Sequence, residues 1–488
     1  MEFESNSGIK YLFDNAIGIS IPNVLQNNNR QAGNSYPSYN VSQKIDANYS
    51  VFYSKNMVKK ERIRVLPTSK KKKRLEPQEI RRYIYREGLK QLTLGITEDC
   101  NLACKYCVYS DAYEQTRNSS KRNMDFKTAK TAIDYYVSLL KEGQRYNPTR
   151  TQSVGFYGGE PLLNFPLIKK CVEYIEVEYP DWNFLYTLTT NGTLLNNEKM
   201  DFLMEKEFSI GISLDGPENE HNRNRVYKNG KGTFKDIMKN VKRLVNCGYG
   251  RCHSLAVFDI KSDLFALNEF FKRRDIPLLT SVTMPKANDG CKFYDQFLKD
   301  DCNKYVKLEA KAFQWYLENV QYHSKDFSFF DQLFGVTASR TLFSAIVMMN
   351  PESLIFPYTG ACIPGTKLFS DVEGNLHLCE RINQTIPIGH ICTGLDFEKI
   401  AHLMNNYREH LDKCPSCGVS HLCGECYCAF INDGICSDAS KVCDNFDLNI
   451  ACNLSRAFSL GEKHPDLLGM MFDDYYSRLV KLSNTMGD

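Results

Sequence analysis

The chain of 488 residues has no apolar run long enough to cross a bilayer; the longest, at residues 343–349, covers barely two helical turns, so no membrane partner is expected. Its first residues, Met1-Glu2-Phe3-Glu4-Ser5, carry neither a basic region nor an apolar stretch. No secretory signal is visible, and a cytoplasmic, reducing compartment is expected. No internal repeat and no nucleic-acid-binding motif can be read along the chain. Wholesale disorder is excluded, because 42% hydrophobic and 24% charged residues is ordinary for a folded chain. The length exceeds what one compact core holds, which predicts two or three domains. What is present in excess is cysteine, 19 in all. A chain this large needs no disulfide staples, so the count points to metal ligation or redox chemistry.

The net charge of +3 is unevenly spread: residues 55–90 hold 14 Lys/Arg against 4 Asp/Glu, a local net of +10. That segment reads either as a solvated connector or as a patch for an anionic partner, with nucleic acid disfavoured by the mildly acidic remainder. Residues 1–90 hold weak strand signals near 11–13 and 17–21, a polar loop at 26–48, a basic run at 70–74 and one helix at 77–88. From Leu92 the texture changes. Strands are predicted at 92–97, 153–157, 184–190, 209–214, 254–258 and 278–283. Helical patterns lie between them: Ile133, Tyr136, Val137 and Leu140 recur at helical spacing, as do Ile168, Cys171, Val172 and Ile175. Six β–α units in a row predict a parallel sheet, open and doubly wound or a partial barrel. In either, functional groups gather beyond the C-terminal strand ends. Residues 291–355 read as a helical, aromatic-rich bridge, 356–456 as a loop-rich cysteine domain and 457–488 as a helical tail.

Directly after the first strand come Cys100, Cys104 and Cys107, three thiols within eight residues. A four-iron cluster needs four ligands, so three cysteines leave one iron open to an exogenous molecule. Three structural cysteines, or part of a zinc site, would produce the same spacing. Later strand ends carry Tyr157-Gly158-Gly159-Glu160, Thr190-Asn191-Gly192 and Ser213-Leu214-Asp215-Gly216, followed by Arg225. Two glycines permit close backbone approach, Glu160 suits an ammonium and Arg225 a carboxylate. Together they line one rim with an anion, a cation and hydroxyls around an open iron, as an amino-acid-like ligand with a ribose requires.

On these residues the region 91–290 resembles a radical S-adenosylmethionine (SAM) core, whose signature loop has an aromatic before the last cysteine, here Tyr106. The resemblance implies a partial (β/α)6 TIM-type barrel within an α/β chain. It implies a catalytic 4Fe-4S cluster on Cys100, Cys104 and Cys107, whose open iron is chelated by SAM. Glu160 would face the SAM amino group and Arg225 its carboxylate, with Tyr106, Gly158, Gly159, Asn191 and Ser213 also at the cofactor.

Toward the C-terminus, eight cysteines fall between Cys414 and Cys452. Paired Cys-x2-Cys is a zinc hallmark, but the gap of five residues from Cys417 to Cys423 is short for a zinc ribbon. The order resembles the SPASM extension of radical SAM enzymes, which holds two auxiliary four-iron clusters. By that resemblance Cys414, Cys417, Cys423 and Cys443 hold the outer cluster, and Cys362, Cys379 and Cys426 the inner one. Cys392, Cys428, Cys436 or a substrate thiolate would complete the inner cluster. The shorter Cys-Gly-Glu-Cys-Tyr form is more like the peptide-maturing branch of the family. The implied activity is modification of a ribosomally made precursor peptide, first as thioether formation from cysteine to carbon. Carbon–carbon cross-linking, epimerisation and sulfatase-type formylglycine formation are the alternatives, and a non-catalytic iron–sulfur scaffold is the alternative outside catalysis. A flavodoxin or ferredoxin would supply electrons, and residues 1–90 would serve as a degenerate leader-binding segment. No residue is assigned from the sequence as a catalytic acid or base.

Overall fold

The computed structural model describes residues 2–6, 8, 10–14, 19–22, 74–113, 119–285, 292–321, 328–341, 364–365, 367–380, 386–410, 414, 417, 419–423, 431–432, 435–436, 440–464, 466–467 and 470–471. The N-terminal strands β1 (Glu2–Glu4), β2 (Lys10–Asp14) and β3 (Ile19–Pro22) form a small antiparallel sheet. Helix α1 (Pro77–Glu87) follows, and then the predicted alternation begins. Strands β4 (Gln91–Thr97), β5 (Gln152–Gly158), β6 (Phe184–Thr190), β7 (Ser209–Ser213), β8 (Cys252–Val257) and β9 (Leu278–Thr283) are all parallel. Between them lie α2 (Phe126–Gly143), α3 (Phe165–Glu178), α4 (Asn197–Glu205), α5 (Glu218–Asn224), α6 (Phe234–Asn246) and α7 (Leu264–Phe271). The periodic residues do what their spacing implies: Ile133, Tyr136, Val137 and Leu140 of α2 are buried against Leu94, Ile96, Val154 and Phe156 in one apolar core. Asp125 stops the chain from entering α2 too early, accepting a 2.7 Å hydrogen bond from the Thr128 amide.

Strand order decides between the two architectures that periodicity leaves open. The strands run β4-β5-β6-β7-β8-β9 across the sheet, in sequence order and without reversal. A doubly wound sheet reverses its order at a switch point; an unreversed run coils toward a partial barrel with helices outside. Residues of one parity face the helices and those of the other face the concave interior. A Cβ on Gly155 would meet Thr187 Oγ1, Gln91 Nε2 and Thr93 Oγ1, while one on Gly211 would meet Leu255 and His253. These residues therefore share the interior face.

The segments expected as separate units are joined to this sheet. Strand β10 (Lys367–Ser370) pairs in parallel with β4, and β11 (Asn375–His377), β12 (Gly389–His390) and β13 (Gly394–Leu395) extend it as antiparallel strands, ten in all. Leu368, Leu376, Ile388 and Ile391 belong to the same apolar core as the barrel. The boundary expected at residue 356 thus precedes an extension of the barrel sheet, because the unpaired edge of β4 is satisfied by β10. Similarly α1, assigned from sequence to the N-terminal extension, buries Ile80 and Ile84 completely in that core. Before it, Leu75 exchanges backbone hydrogen bonds of 2.9 Å with the Asn405 amide on α9 (Phe397–His410), a helix that begins with residue 397. Of the bridge, α8 (Lys299–Asn319) and a π-helical turn (Asp331–Val336) are described, packing Phe313, Tyr316, Phe330 and Phe334 together. Helix α10 (Ser440–Lys463) runs through the boundary expected at 456. It carries the N-terminal sheet: the Ser455 hydroxyl donates to the Glu4 carbonyl, and the Asn6 amide donates to Ser459 Oγ at 2.7 Å. The basic run at 70–74, Arg74 excepted, lies outside the described residues.

Candidate active site

Backbone contacts place the cysteine loop before any ligand is considered. The Ala103 and Lys105 amides donate to the carbonyls of Val226 (2.8 Å) and Asn224 (3.0 Å), and the Cys100 amide is held by Asp99 Oδ1 at 2.9 Å. On the other side the Gly159 amide donates to Thr97 O and the Glu160 amide to Asp99 O, at 2.9 and 2.8 Å. This revises the role expected for the two glycines. A Cβ on Gly158 (φ +145°) would stand 2.1 Å from Thr97 O, and one on Gly159 would stand 2.0 Å from Asp99 O. They let the β5 turn press against the cysteine loop itself, so the close approach is to the chain's own backbone.

Glu160 is buried, and burial raises its pKa above the ordinary carboxylate value. Three donors oppose that tendency: the Leu162 amide (3.1 Å) and Thr190 Oγ1 (2.8 Å) on Oε1, and the Asn191 amide (2.8 Å) on Oε2. The carboxylate is thus fixed in orientation while keeping acceptor capacity for an ammonium. Asn191 is tied to the cysteine loop, its Nδ2 donating to Asn101 Oδ1 at 2.9 Å and lying 4.0 Å from Cys100 Sγ. Ser213, at the end of β7, is half-buried, and its hydroxyl meets no hydrogen-bond partner among the described residues.

Arg225 forms the opposite pole. Its Nε donates to Asp215 Oδ2 at 3.0 Å and its Nη1 lies 3.8 Å from Cys104 Sγ. The guanidinium carbon stands 5.3 Å from the centre of the Tyr106 ring, whose hydroxyl donates to Asp215. Tyr106 is therefore turned inward, its hydroxyl and ring face committed to the Asp215–Arg225 pair, and it supports the arginine from beneath. With Nε and Nη1 engaged, Nη2 remains for a ligand carboxylate. Buried beside it is an element given no role from sequence: His221 Nδ1 accepts from the Asp215 amide (3.2 Å) and its other nitrogen meets Thr233 Oγ1 (3.0 Å). Thr233 in turn donates to the Arg225 carbonyl at 3.1 Å, so the imidazole ties both ends of the 215–225 loop together. Burial pushes its pKa down to about 4 and keeps it neutral. A histidine between two loop residues has no periodic signal; only Asp215, inside the Ser-Leu-Asp-Gly motif, was conspicuous.

The donor set fits an iron–sulfur cluster with three thiolates. Burial pushes the thiols of Cys100 and Cys104 up to about 12 and about 11, so they ionise only with a strong compensating cation. Arg225, Asn191 and the Leu102 amide (3.4 Å from Cys100 Sγ) direct N–H groups at two of the sulfurs. Among the described residues no three His, Cys, Asp or Glu side chains are arranged to hold a single metal ion. A cubane asks for something different, since each thiolate binds its own iron and the sulfurs stand apart.

Of the cysteines expected to hold auxiliary clusters, Cys379, Cys414, Cys417 and Cys423 are half-buried, with the Cys417 amide donating to Cys414 O at 3.1 Å. Cys392 is exposed. Cys362, Cys426 and Cys428 lie outside the described residues, and for Cys436 and Cys443 only the backbone elements are described. One contact links the two cysteine regions: the Tyr109 hydroxyl donates at 2.9 Å to the carbonyl of Glu380, next to Cys379. Lys367 on β10 holds the Glu380 carboxylate at 3.0 Å.

Residues 94–262 match the family described as the Radical SAM superfamily. The chain is 41% identical over 246 residues to an uncharacterised protein of Methanocaldococcus jannaschii, covering 49% of this chain and 78% of the relative. It is 25% identical over 357 residues to a cysteine-type anaerobic sulfatase-maturating enzyme of Clostridium novyi, covering 69% of this chain and 87% of that enzyme. In fold it is similar to anSMEcpe solved with bound AdoMet and the Cp18Cys peptide, at a TM-score of 0.52 and 19% identity over 82% of this chain and 99% of the other.

Proposed function

Since the chain belongs to the radical SAM superfamily and is an enzyme of that class, we propose that it matures a peptide, forming a thioether from a cysteine thiol to a carbon atom of a ribosomally made precursor. When bound, a cluster on Cys100, Cys104 and Cys107 together with SAM supplies a 5′-deoxyadenosyl radical that removes a hydrogen atom from the substrate. This chain's residues do the orienting. Glu160, with three donors fixing it, takes the amino group; Arg225, fixed by Asp215 and Tyr106, takes the carboxylate through Nη2; Ser213 offers its unengaged hydroxyl. Two opposite charges on separate strand ends define the direction in which an amino acid lies between them.

The observation that carries the peptide-thiol reading is the Tyr109–Glu380 hydrogen bond. It braces the Cys379 segment against the catalytic loop, which suits an auxiliary cluster bordering the space where substrate reacts. Cys362, Cys379 and Cys426 would hold that inner cluster, with a substrate thiolate as its fourth ligand, and Cys414, Cys417, Cys423 and Cys443 the outer one. A flavodoxin or ferredoxin would deliver electrons in the cytoplasm, and the N-terminal sheet on α10 would take the leader. A second reading, cysteine-type formylglycine formation, is supported by the Clostridium novyi relative, of which this chain covers 87%.

The test is anaerobic reconstitution with iron and sulfide, followed by SAM, dithionite and either synthetic cysteine-rich peptides or the Cp18Cys peptide. Thioether formation predicts loss of two hydrogens with one thiol no longer alkylatable. An aldehyde on Cp18Cys that reacts with a hydrazine supports the second reading. Clusters without any 5′-deoxyadenosine would leave a non-catalytic scaffold and refute both.

A further inference from the structure

The interior face of the half-barrel carries hydroxyls, glycines, aliphatic groups, the Gln91 amide and the Tyr157 ring, together with one imidazole. His253, on β8, projects from the same face as Leu255 and Val257, opposite in parity to Cys252 and Ala256, which belong to the apolar core under the helices. It is paired in register with Gly211 of β7, and Ser213 lies one interior position further toward the cofactor rim. Gly211 makes room for the ring: a Cβ there would be 3.2 Å from His253 Nε2. The imidazole therefore lies across β7, below the rim where Glu160 and Arg225 face a ligand.

Three features separate His253 from a structural core histidine. Among the described residues, it is the one imidazole on interior-facing positions of the six parallel strands. It makes no hydrogen bond with a described residue, whereas His221 uses both ring nitrogens. Its nitrogens are also absent from the sealed, unpaired polar atoms of the interior, such as Thr93 Oγ1 and His377 Nδ1, so neither is fully closed off by protein. An unpaired polar group facing an enclosed lumen is satisfied by what enters that lumen.

We propose that His253 is a catalytic residue that accepts the thiol proton of a substrate cysteine. This rests on the peptide-thiol reading above. The S–H bond breaks, its electron pair stays on sulfur, and the proton passes to the imidazole nitrogen facing the lumen, giving an imidazolium beside a thiolate. Both candidate chemistries, thioether and formylglycine formation from cysteine, must remove that proton. Partial burial lowers the His253 pKa from its ordinary value, which keeps the ring neutral and able to accept. The cysteine-rich precursor would thus approach from within the barrel, with its thiol beside the imidazole.

The experiment uses reconstituted holoenzyme with the Cp18Cys peptide and with synthetic cysteine-rich peptides. The variants are His253→Gln, which keeps size and polarity, and His253→Gly, whose vacated space admits free imidazole. Wild type is expected to convert peptide, and His253→Gln to form 5′-deoxyadenosine at near wild-type rate while modified peptide per 5′-deoxyadenosine falls by about 100-fold. Added imidazole restores conversion in His253→Gly. Independently of turnover, His253→Cys forms a mixed disulfide with Cp18Cys under mild oxidation and none with the peptide bearing serine at that position. An unchanged product ratio in His253→Gln, with wild type active, overturns the assignment of His253 alone. A wild type that cleaves SAM but alters no cysteine peptide overturns the peptide-thiol reading, and the inference falls with it.

Discussion

Replacing Asp215 by Asn tests the electrostatic centre of the site. Asp215 is 3% exposed in its side chain and Arg225 10%, so the pair is desolvated on both sides. The carboxylate accepts from Arg225 Nε at 3.0 Å, the Val257 amide at 3.0 Å and the Tyr106 hydroxyl. Asn keeps the shape but removes the charge, leaving a buried guanidinium without its anion. Breaking one partner of a buried pair costs about 3–5 kcal/mol. At a urea dependence of about 3 kcal/mol/M the unfolding midpoint falls by roughly 1 M or more. The matched control is Asp275→Asn, whose pair with Arg273 is 43% and 41% exposed. There the expected loss is under about 1 kcal/mol, since solvent already screens the pair. SAM affinity, measured by equilibrium dialysis on the reconstituted protein, should drop about 10- to 100-fold in Asp215→Asn, the worth of one charge-assisted hydrogen bond. Equal midpoints for the two variants, or an unaltered SAM affinity, would refute the argument that Asp215 holds Arg225 in place.

Three further outcomes are expected. Gly159→Ala places a methyl 2.0 Å from Asp99 O, so the cysteine loop must shift; reconstituted iron at the catalytic cluster should fall relative to Gly250→Ala, where a Cβ meets nothing within 4 Å. SAM affinity should rise with pH through a range above the usual carboxylate range, because buried Glu160 has a raised pKa and must be ionised to hold an ammonium. That dependence, followed by titration in matched buffers, should be absent in Glu160→Gln. His221 has a folded pKa lowered from 6.5 to about 4, so its contribution is complete above 6.5 and is lost as pH falls toward 4. About 3 kcal/mol of acid sensitivity follows, and a stability–pH curve for His221→Gln should be flatter over that window even though it starts lower.

The comparison of sequence and structure divides along the range of the interactions involved. Helix α2 was legible because Ile133, Tyr136, Val137 and Leu140 report one buried face locally, and the Cys100–Cys107 loop because its three ligands are neighbours in the chain. The glycines at 158 and 159 were legible as special but not in purpose, since their close contacts are Thr97 and Asp99, some sixty residues earlier. His221 and His253 had no signal: one closes a loop through two hydrogen bonds, and the other matters because β7 offers a glycine beside it.

By itself the sequence determined the alternation of strands and helices, the thiol spacing and the residue types at each strand end, because these depend on local periodicity and covalent neighbourhood. Tertiary structure alone decided that the sheet runs without reversal and that β10 closes on the edge of β4. It also decided which charges oppose each other, Glu160 held by Thr190 and Asn191 and Arg225 held by Asp215 and Tyr106. Glu160 with Thr190 and Asn191, and Tyr106 with Asp215 and Arg225, come from segments that follow different strands, and only strand register and burial bring them within hydrogen-bonding distance.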